Sequence, residues 1–566
     1  MIRNHKELKI KTFDVLIIGG GITGACIAHD AALRGFKVAL IEKADFGGYT
    51  SSASSKLIHG GIRYLPKLQF LKVRESAKER AIFQNVAPHL TYYIPFIVPT
   101  SDKSLIKGKP ALKVALGIYK MICAGFNHII RDEKKKVPAA SFYSRHEIIK
   151  KFPEIRSLQG LSGGQVFFES HMMSSERMTL AFLKTAYHNS ANISNYLRAE
   201  TFIEGKNRIS GLTVRDQFTG NTFEISAKVI VNAAGPFIPM LNRKLNNLRL
   251  KKEITGFSKG IHIVTRPINK TYAIALVTPK KIEGFINRGG RHFFIIPWRD
   301  HSLIGTMNFP FDTHLDHVAV TKGEILKFLE EVNEVFPGAH LTQSDVRYAF
   351  AGLYPITSKV IQSDTYQGTG EYQIIDHASS DGIEGIVTVL GAKFTTARKV
   401  SEKASDLIEK KLAVPKKGCR THIEPLLEGN ILDFNRFIRE KKEMYGAAIA
   451  PEIIENLIFN YGTGIDFLLR LISQNDTLGR KLCPDRKTLE VEVWNAVRHE
   501  MALTLEDVIF RRTGMGTIGH PGGQAITRAA EIMAELLNWD RDRCDSEIQR
   551  VNEHFRLFNQ WNENFS

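Results

Sequence analysis

A short apolar run, Asp14-Val15-Leu16-Ile17-Ile18, ends directly in Gly19-x-Gly21-x-x-Gly24, and few backbone arrangements accept that junction. The run reads as a parallel strand buried on both faces. Glycines at the three positions leave room for a tight turn, for a ligand's phosphates to reach backbone N–H groups, and for the next helix to pack closely on the strand. Ile22 to Leu33 then has helical character, and Gly35 stops it. Lys37-Val38-Ala39-Leu40-Ile41 is a second strand, which closes a βαβ unit of about thirty residues. Glu42 ends that strand eighteen residues after Gly24, where a carboxylate accepts hydrogen bonds from ribose hydroxyls. With strand, glycines, helix, strand and acid in register, the segment predicts dinucleotide binding. The motif alone does not separate NAD from FAD.

A second element points to FAD. Val229-Ile230-Val231-Asn232-Ala233-Ala234-Gly235-Pro236 is another apolar strand running into a turn of small residues, as in two-domain flavoproteins that return to the cofactor. Between these two elements, the stretch from Lys56 to about Leu90 reads as helical and charge-laced. Residues 104–126 carry Lys107, Lys109, Lys113 and Lys120 among apolar positions. Residues 193–232 alternate as hairpins do, around Glu204-Gly205-Lys206-Asn207. A helix is expected from Lys393. Strand signals fade near Pro415, and a chain of 566 residues exceeds one compact core. The expected division is therefore 12–410 and a helical 411–566.

Charge and cysteine usage narrow the partners. The net charge of +18 suits nucleic acid, an anionic membrane surface or an anionic substrate. No nucleic-acid module is present and the basic residues are dispersed, so nucleic acid is not expected. The five cysteines are scattered without CxxC spacing, which argues against a disulfide framework and a zinc site. They are expected reduced and buried, and no metal is expected. There is no run of eighteen uncharged apolar residues, so a spanning helix is not expected. Met1–Lys11 lacks the apolar stretch of a secretory signal. The expected location is cytoplasmic, as a peripheral protein on the inner face of the membrane if it meets one.

The segment Thr50-Ser51-Ser52-Ala53-Ser54-Ser55-Lys56-Leu57-Ile58-His59-Gly60-Gly61-Ile62-Arg63-Tyr64-Leu65 closely resembles that of FAD-dependent, aerobic glycerol-3-phosphate dehydrogenases and oxidases. This family lies in the D-amino-acid-oxidase-like flavoprotein superfamily. Phe294-Ile295-Ile296-Pro297-Trp298, Leu303-Ile304-Gly305-Thr306 and Leu390-Gly391-Ala392-Lys393-Phe394-Thr395-Thr396-Ala397-Arg398-Lys399 resemble further parts of it. Cys419-Arg420-Thr421, the stretch from Ala496 to Val508 and Arg511-Arg512-Thr513 resemble its helical domain. The likeness runs from about residue 12 to residue 545. It implies an α/β fold: a Rossmann-like, glutathione-reductase-type FAD-binding core with an antiparallel-sheet substrate domain, plus an α-helical C-terminal domain.

It also implies oxidation of glycerol 3-phosphate to dihydroxyacetone phosphate, with electrons passed to a membrane quinone. Oxygen as acceptor, another polyol phosphate or an amine as substrate, and a non-catalytic membrane-associated flavoprotein stay open, as does a homodimer. His59 falls where the family places a histidine near the flavin, and its near-neutral pKa suits proton removal. Arg63 suits a phosphate. Lys393, with the Thr395 and Thr396 amides, is placed to stabilise negative charge on reduced flavin or substrate. Gly19, Gly21, Gly24, Glu42, Ser51, Ser52, Ser55, Gly60, Gly61, Gly235 and Gly391 complete the expected cofactor site, with Lys393, Thr395 and Thr396.

Three places depart from the family. Gly352-Leu353-Tyr354-Pro355-Ile356 has Tyr354 where an arginine is expected to grip phosphate, and tyrosine brings no charge. By strand alternation Arg347 faces away from residue 354 unless a bulge intervenes, which leaves Arg291 and Arg299 as candidate replacements. Ser174-Ser175-Glu176-Arg177 lacks the usual acidic pair, and Met307-Asn308 replaces Thr-Asp. The flavin site reads as intact and the substrate pocket as altered.

Overall fold

The computed structural model describes residues 1–102, 109–245, 248–251, 253–277, 292–356, 372–391 and 393–559. Among these, the strands form two sheets. The first is built outward from Thr12–Ile18, which pairs in parallel with Val38–Ile41 on one side and with Thr222–Asn232 on the other. Asn192–Ser194 and Ile386–Leu390 extend it in parallel, and Gln373–Asp376 closes one edge antiparallel. Strand Thr222–Asn232 shows how sequence sets context. Its first half alternates exposed and buried residues and pairs with the antiparallel strand Ile209–Asp216; its last four residues are all buried within the parallel sheet. The helix Ile22–Leu33 has almost no exposed surface, and its alanines admit the close flanking helices Ser175–His188 and Ala397–Lys411.

The second sheet runs in the order Val346–Ile356, Gly256–Thr265, His301–Phe311, His292–Trp298, Ala273–Val277, Thr91–Ser101, Leu161–Met172 and Leu57–Ile58, with Ser141–Ser144 beside Leu161–Met172. It is antiparallel except where Ala273–Val277 meets Thr91–Ser101. Helix Lys322–Val335 covers one face through Ile325, Phe328, Leu329 and Val332. The opposite face looks toward the serine-rich loop: a Cβ on Gly352 would lie 2.9 Å from that of Ala53. Beyond the linker after Lys411, helices between Phe434 and Gln474 form a cluster of their own. The later helices Glu490–Glu500, Gly523–Leu537 and Arg541–Asn559 share the core of the second sheet.

Three expectations are corrected. The stretch after Lys56 opens with the short strand Leu57–Ile58 and a 3-10 turn over Ile62–Lys67, and the helix spans only Phe70–Val86. Gly61 in the left-handed region, followed by Pro66, prevents an earlier start. Lys393 does not open a helix, because the last helix of the core begins at Ala397, with Thr396 as its N-cap. Of the cysteines only Cys26 is buried; the other four are partly exposed.

Candidate active site

The crevice where Thr12–Ile18 meets its helix is held open by contacts that admit no side chain. A Cβ on Gly24 would sit 1.9 Å from the Gly19 carbonyl oxygen, and one on Gly19 would sit 2.7 Å from that of Ala233. Gly19 also has φ +110°, which favours glycine. The Ile22 N–H donates to Ser51 Oγ at 2.9 Å, so the serine-rich loop is stitched to the helix N-terminus. Gly21 brings no side-chain cap to that terminus, leaving its positive end for an anion. Glu42 accepts from the N–H groups of Gly20 at 2.7 Å and Ala44 at 3.0 Å, which braces the glycine loop. Burial raises its carboxyl above the ordinary value, against the pull of those donors. A carboxylate has about four acceptor sites, so capacity for a ribose remains. Gly391 closes the crevice from the far strand, its absent Cβ only 2.3 Å from Thr23 Oγ1, while the Gly235 side-chain position faces open space.

Ser52 and Ser55 brace the loop itself. Ser52 Oγ donates to the Tyr49 carbonyl at 2.7 Å, its own carbonyl accepts from Lys56 Nζ, and the Ser55 carbonyl contacts His171 Nε2. Lys56 is buried in an ion pair with Glu176 at 2.6 Å. That accounts for the single acid in Ser174-Ser175-Glu176-Arg177: Glu176 serves Lys56, and Arg177 pairs with Glu500 of the C-terminal region at 2.6 Å.

His59 follows at the end of the short strand. Its Nδ1 lies 3.1 Å from Glu169 Oε1, and the Gly60 N–H donates to Glu169 Oε2 at 2.7 Å. Arg80 Nη1 donates to the same Oε2 at 3.1 Å. Burial alone would raise the Glu169 carboxyl, but His59 and Arg80 hold it below its ordinary value, so it is ionised. The Gly61 N–H also points at Nδ1, at 3.2 Å, but the ionised carboxylate at 3.1 Å is the stronger partner and favours hydrogen on Nδ1, which leaves Nε2 with its lone pair. The His59 N–H donates to Thr395 Oγ1 at 3.2 Å, joining the His59 loop to the turn before the helix at Ala397. Lys393 Nζ, in that turn, lies 4.1 Å from the centre of the Tyr64 ring. Thr396 is buried at the helix cap. Arg63 sits in the turn Ile62–Lys67; its side chain, like Arg291 and Ala392, lies outside the described residues.

Tyr354 is on the sheet face that looks toward the loop. It pairs with Ser258, two residues from the Gly352–Gly260 pair, and its Cε2 would meet a Gly260 Cβ at 2.8 Å. On the next strand Asn308 pairs with Gly260, and its buried Oδ1 has no hydrogen-bond partner. His262, also on this face, is fully buried with both ring nitrogens unpartnered, and burial depresses its pKa to about 3. Of the two candidate replacement cations, Arg299 is engaged elsewhere, its Nη1 donating to the Gly514 carbonyl at 2.8 Å, and Arg291 lies outside the described residues. Arg347, expected to face away unless a bulge intervened, does sit at a bulge and lies against Gly519.

Glu169, Arg80 and His262 were not found by sequence reasoning, and Asn308 was marked only as a departure from the family. Only Glu169 gave a signal, as an acid inside the aromatic strand Phe167-Phe168-Glu169-Ser170. Among the described residues no group of three or more His, Cys, Asp or Glu is arranged to hold a metal.

Residues 14–398 match the family of FAD dependent oxidoreductases, and residues 419–544 match the C-terminal domain of alpha-glycerophosphate oxidase. The chain is 30% identical over 565 residues to a glycerol-3-phosphate dehydrogenase of Synechocystis, with 98% of each covered. It is also 30% identical to an aerobic glycerol-3-phosphate dehydrogenase of Staphylococcus haemolyticus, covering 97% of this chain and 95% of that one. The crystal structure of a glycerol-3-phosphate dehydrogenase from Bacillus halodurans complexed with FAD superposes with a TM-score of 0.76 at 26% identity, over 97% of this chain and 96% of the other.

Proposed function

This chain belongs to the FAD-dependent glycerol-3-phosphate dehydrogenase family, and from that premise we propose that it oxidises sn-glycerol 3-phosphate to dihydroxyacetone phosphate and passes the electrons to a quinone. The glycine crevice suits FAD: its backbone approaches exclude any Cβ, the helix N-terminus carries no side-chain cap from its own first residue, and open space lies at Gly235. FAD, when bound, supplies N5 as acceptor of the hydride leaving C2.

The observation that carries the reading is the His59–Glu169 pair. An imidazole with hydrogen fixed on Nδ1 presents Nε2 to the substrate hydroxyl and takes its proton. Phe294 packs edge-on against the ring and limits water on that side. Arg63 would hold the phosphate. Lys393, with the Thr395 and Thr396 turn, would balance the negative charge that builds up during the reaction. Purified holoenzyme, with glycerol 3-phosphate and a soluble quinone analogue under argon, should form dihydroxyacetone phosphate in equal amount to quinol. No turnover overturns the proposal, and peroxide formed in air without added acceptor moves it to an oxidase.

Tyr354 and the unpartnered Asn308 oxygen favour a second reading of substrate choice. A neutral tyrosine stands where the family grips phosphate with a cation, so a related polyol phosphate with a further hydroxyl for Asn308 is the alternative.

A membrane-facing side is also proposed. No described helix is long and apolar enough to cross a membrane. The helix Lys109–Ile122 packs inward through Tyr119 and Ile118, while Val114 and Met121 face solvent beside Lys113 and Lys120. Leu68 and Leu71 are exposed nearby, Leu71 at 83%. Apolar tips among lysines suit an anionic lipid interface. Residues 103–108 of the expected amphipathic stretch lie outside the described residues.

A further inference from the structure

The surface helix Lys109–Ile122 sends one polar group inward. Tyr119 is 8% exposed, and its hydroxyl is sealed from solvent without a hydrogen bond of normal geometry. That oxygen is aimed at the catalytic loop: a Cβ on Gly60 would lie 2.2 Å from it and 2.6 Å from Arg80 Nη1. Gly60 is therefore the space in which Tyr119 and Arg80 meet. Arg80 is buried, with Nε unpartnered and Nη1 shared between the Phe168 carbonyl at 3.2 Å and Glu169 Oε2 at 3.1 Å. An arginine so sparsely bonded needs a wall to keep it on the carboxylate. Tyr119 supplies that wall, with the negative end of its C–O dipole toward the guanidinium.

We propose that Tyr119 is a positioning residue for the oxidation, seating Arg80 on Glu169 so that Glu169 holds the Nδ1–H of His59 and Nε2 stays directed at the substrate proton. The inference rests on His59 being the base. The groups facing this network are Glu169 and Tyr93 from the sheet, Arg80 from helix Phe70–Val86, Tyr119 and Cys123 from the surface helix and its end, and Thr395 from the turn before Ala397. With Arg80 less firmly seated, more of the Glu169 charge falls on the imidazole and the protonated ring is favoured.

The test compares wild-type holoenzyme with Tyr119→Phe, which keeps the ring and removes only the oxygen, with Arg80→Lys, and with Tyr119→Phe in a Glu169→Gln background. Two readouts are followed against pH: kcat/KM, and the rate at which diethyl pyrocarbonate labels the His59 peptide. Tyr119→Phe and Arg80→Lys should each move the acid limb of kcat/KM up by about half a pH unit. Both should lower kcat/KM about threefold on the acid side of that limb and shift the labelling curve alike, with FAD content unchanged. In the Glu169→Gln background the tyrosine change should add nothing, because the path runs through that carboxylate. An unmoved limb and labelling curve in Tyr119→Phe overturns the proposal, as does an equal, additive loss in both backgrounds. His59→Asn run alongside separates the two layers: if it keeps the acid limb, the base assignment itself falls.

Discussion

If His59 is the base, as proposed, the ring nitrogen that carries hydrogen decides whether it accepts a proton from substrate, and Glu169 competes with the Gly61 N–H to set that. Replacing Glu169 with Gln keeps the shape but offers the ring an amide in place of a carboxylate, so the tautomer is no longer fixed. We expect kcat to fall on the order of a hundredfold with KM and FAD content nearly unchanged; steady-state kinetics with a flavin spectrum checks it, and a wild-type kcat contradicts it. At Tyr354 the prediction runs the other way. Tyr354→Arg restores a cation on the loop-facing side of the sheet, and a charge-assisted hydrogen bond worth about 1.5–3 kcal/mol should lower KM for glycerol 3-phosphate roughly tenfold or more. An unchanged KM would remove this position from phosphate recognition. His59 was legible in the sequence because a long, unusual serine- and glycine-rich segment surrounds it. Glu169 was not, because a lone acid in a strand normally reads as a solvent-facing residue, and its partner is 110 residues away.

For whole elements, the βαβ unit is the part that local chemistry specifies most tightly. Gly24→Ala forces a methyl group to within 1.9 Å of the Gly19 carbonyl, so strand and helix must separate. Purified Gly24→Ala protein should be colourless even with excess FAD, and retention of stoichiometric flavin would contradict the crevice described above. The last helix of the core was misjudged by four residues at its start. The periodic pattern does not distinguish a first helical turn from the turn that precedes it, and here Thr395 is drawn off to His59. The surface helix was readable as amphipathic, but not that its inner face presses on the catalytic loop, since that depends on the packing of Tyr64, Leu65 and Val73 against Tyr119. On its outer face, Val114→Asp with Met121→Asp should reduce co-sedimentation with anionic vesicles at low salt and leave turnover of soluble acceptor intact. Undiminished binding would place the lipid contact elsewhere.

The C-terminal helices are fastened to the whole molecule by buried charge. Arg512 forms two hydrogen bonds to Asp45, three residues after Glu42, at 2.7 and 2.8 Å, and Arg511 adds a third at 2.5 Å. Arg177 and Lys184 both hold Glu500. Burial alone would raise the Glu500 carboxyl, but these cations depress it from 4.5 to about 2. Its contribution to stability is therefore present above pH 4.5 and is lost as pH falls through 4.5 toward 2. Glu492 behaves oppositely. Burial raises its carboxyl from 4.5 to about 7, so its folded form is best tolerated at low pH and costs stability as pH rises between those values. Glu492→Gln should raise the unfolding free energy by roughly 3 kcal/mol at pH 8 and by little at pH 4, read from denaturant melts at both. A gain of equal size at both pH values would contradict the assignment. None of these pairs was visible in sequence, because each joins elements separated by several hundred residues. The central claim concerns the assembled molecule: a flavin in the glycine crevice is reduced by a polyol phosphate whose proton goes to His59. The most direct measurement is the visible spectrum of purified holoenzyme under anaerobic conditions, before and after glycerol 3-phosphate. The account predicts a yellow protein whose flavin band bleaches on addition of substrate, with bleaching much slower in His59→Asn. A flavin that dithionite reduces but glycerol 3-phosphate leaves fully oxidised would contradict it.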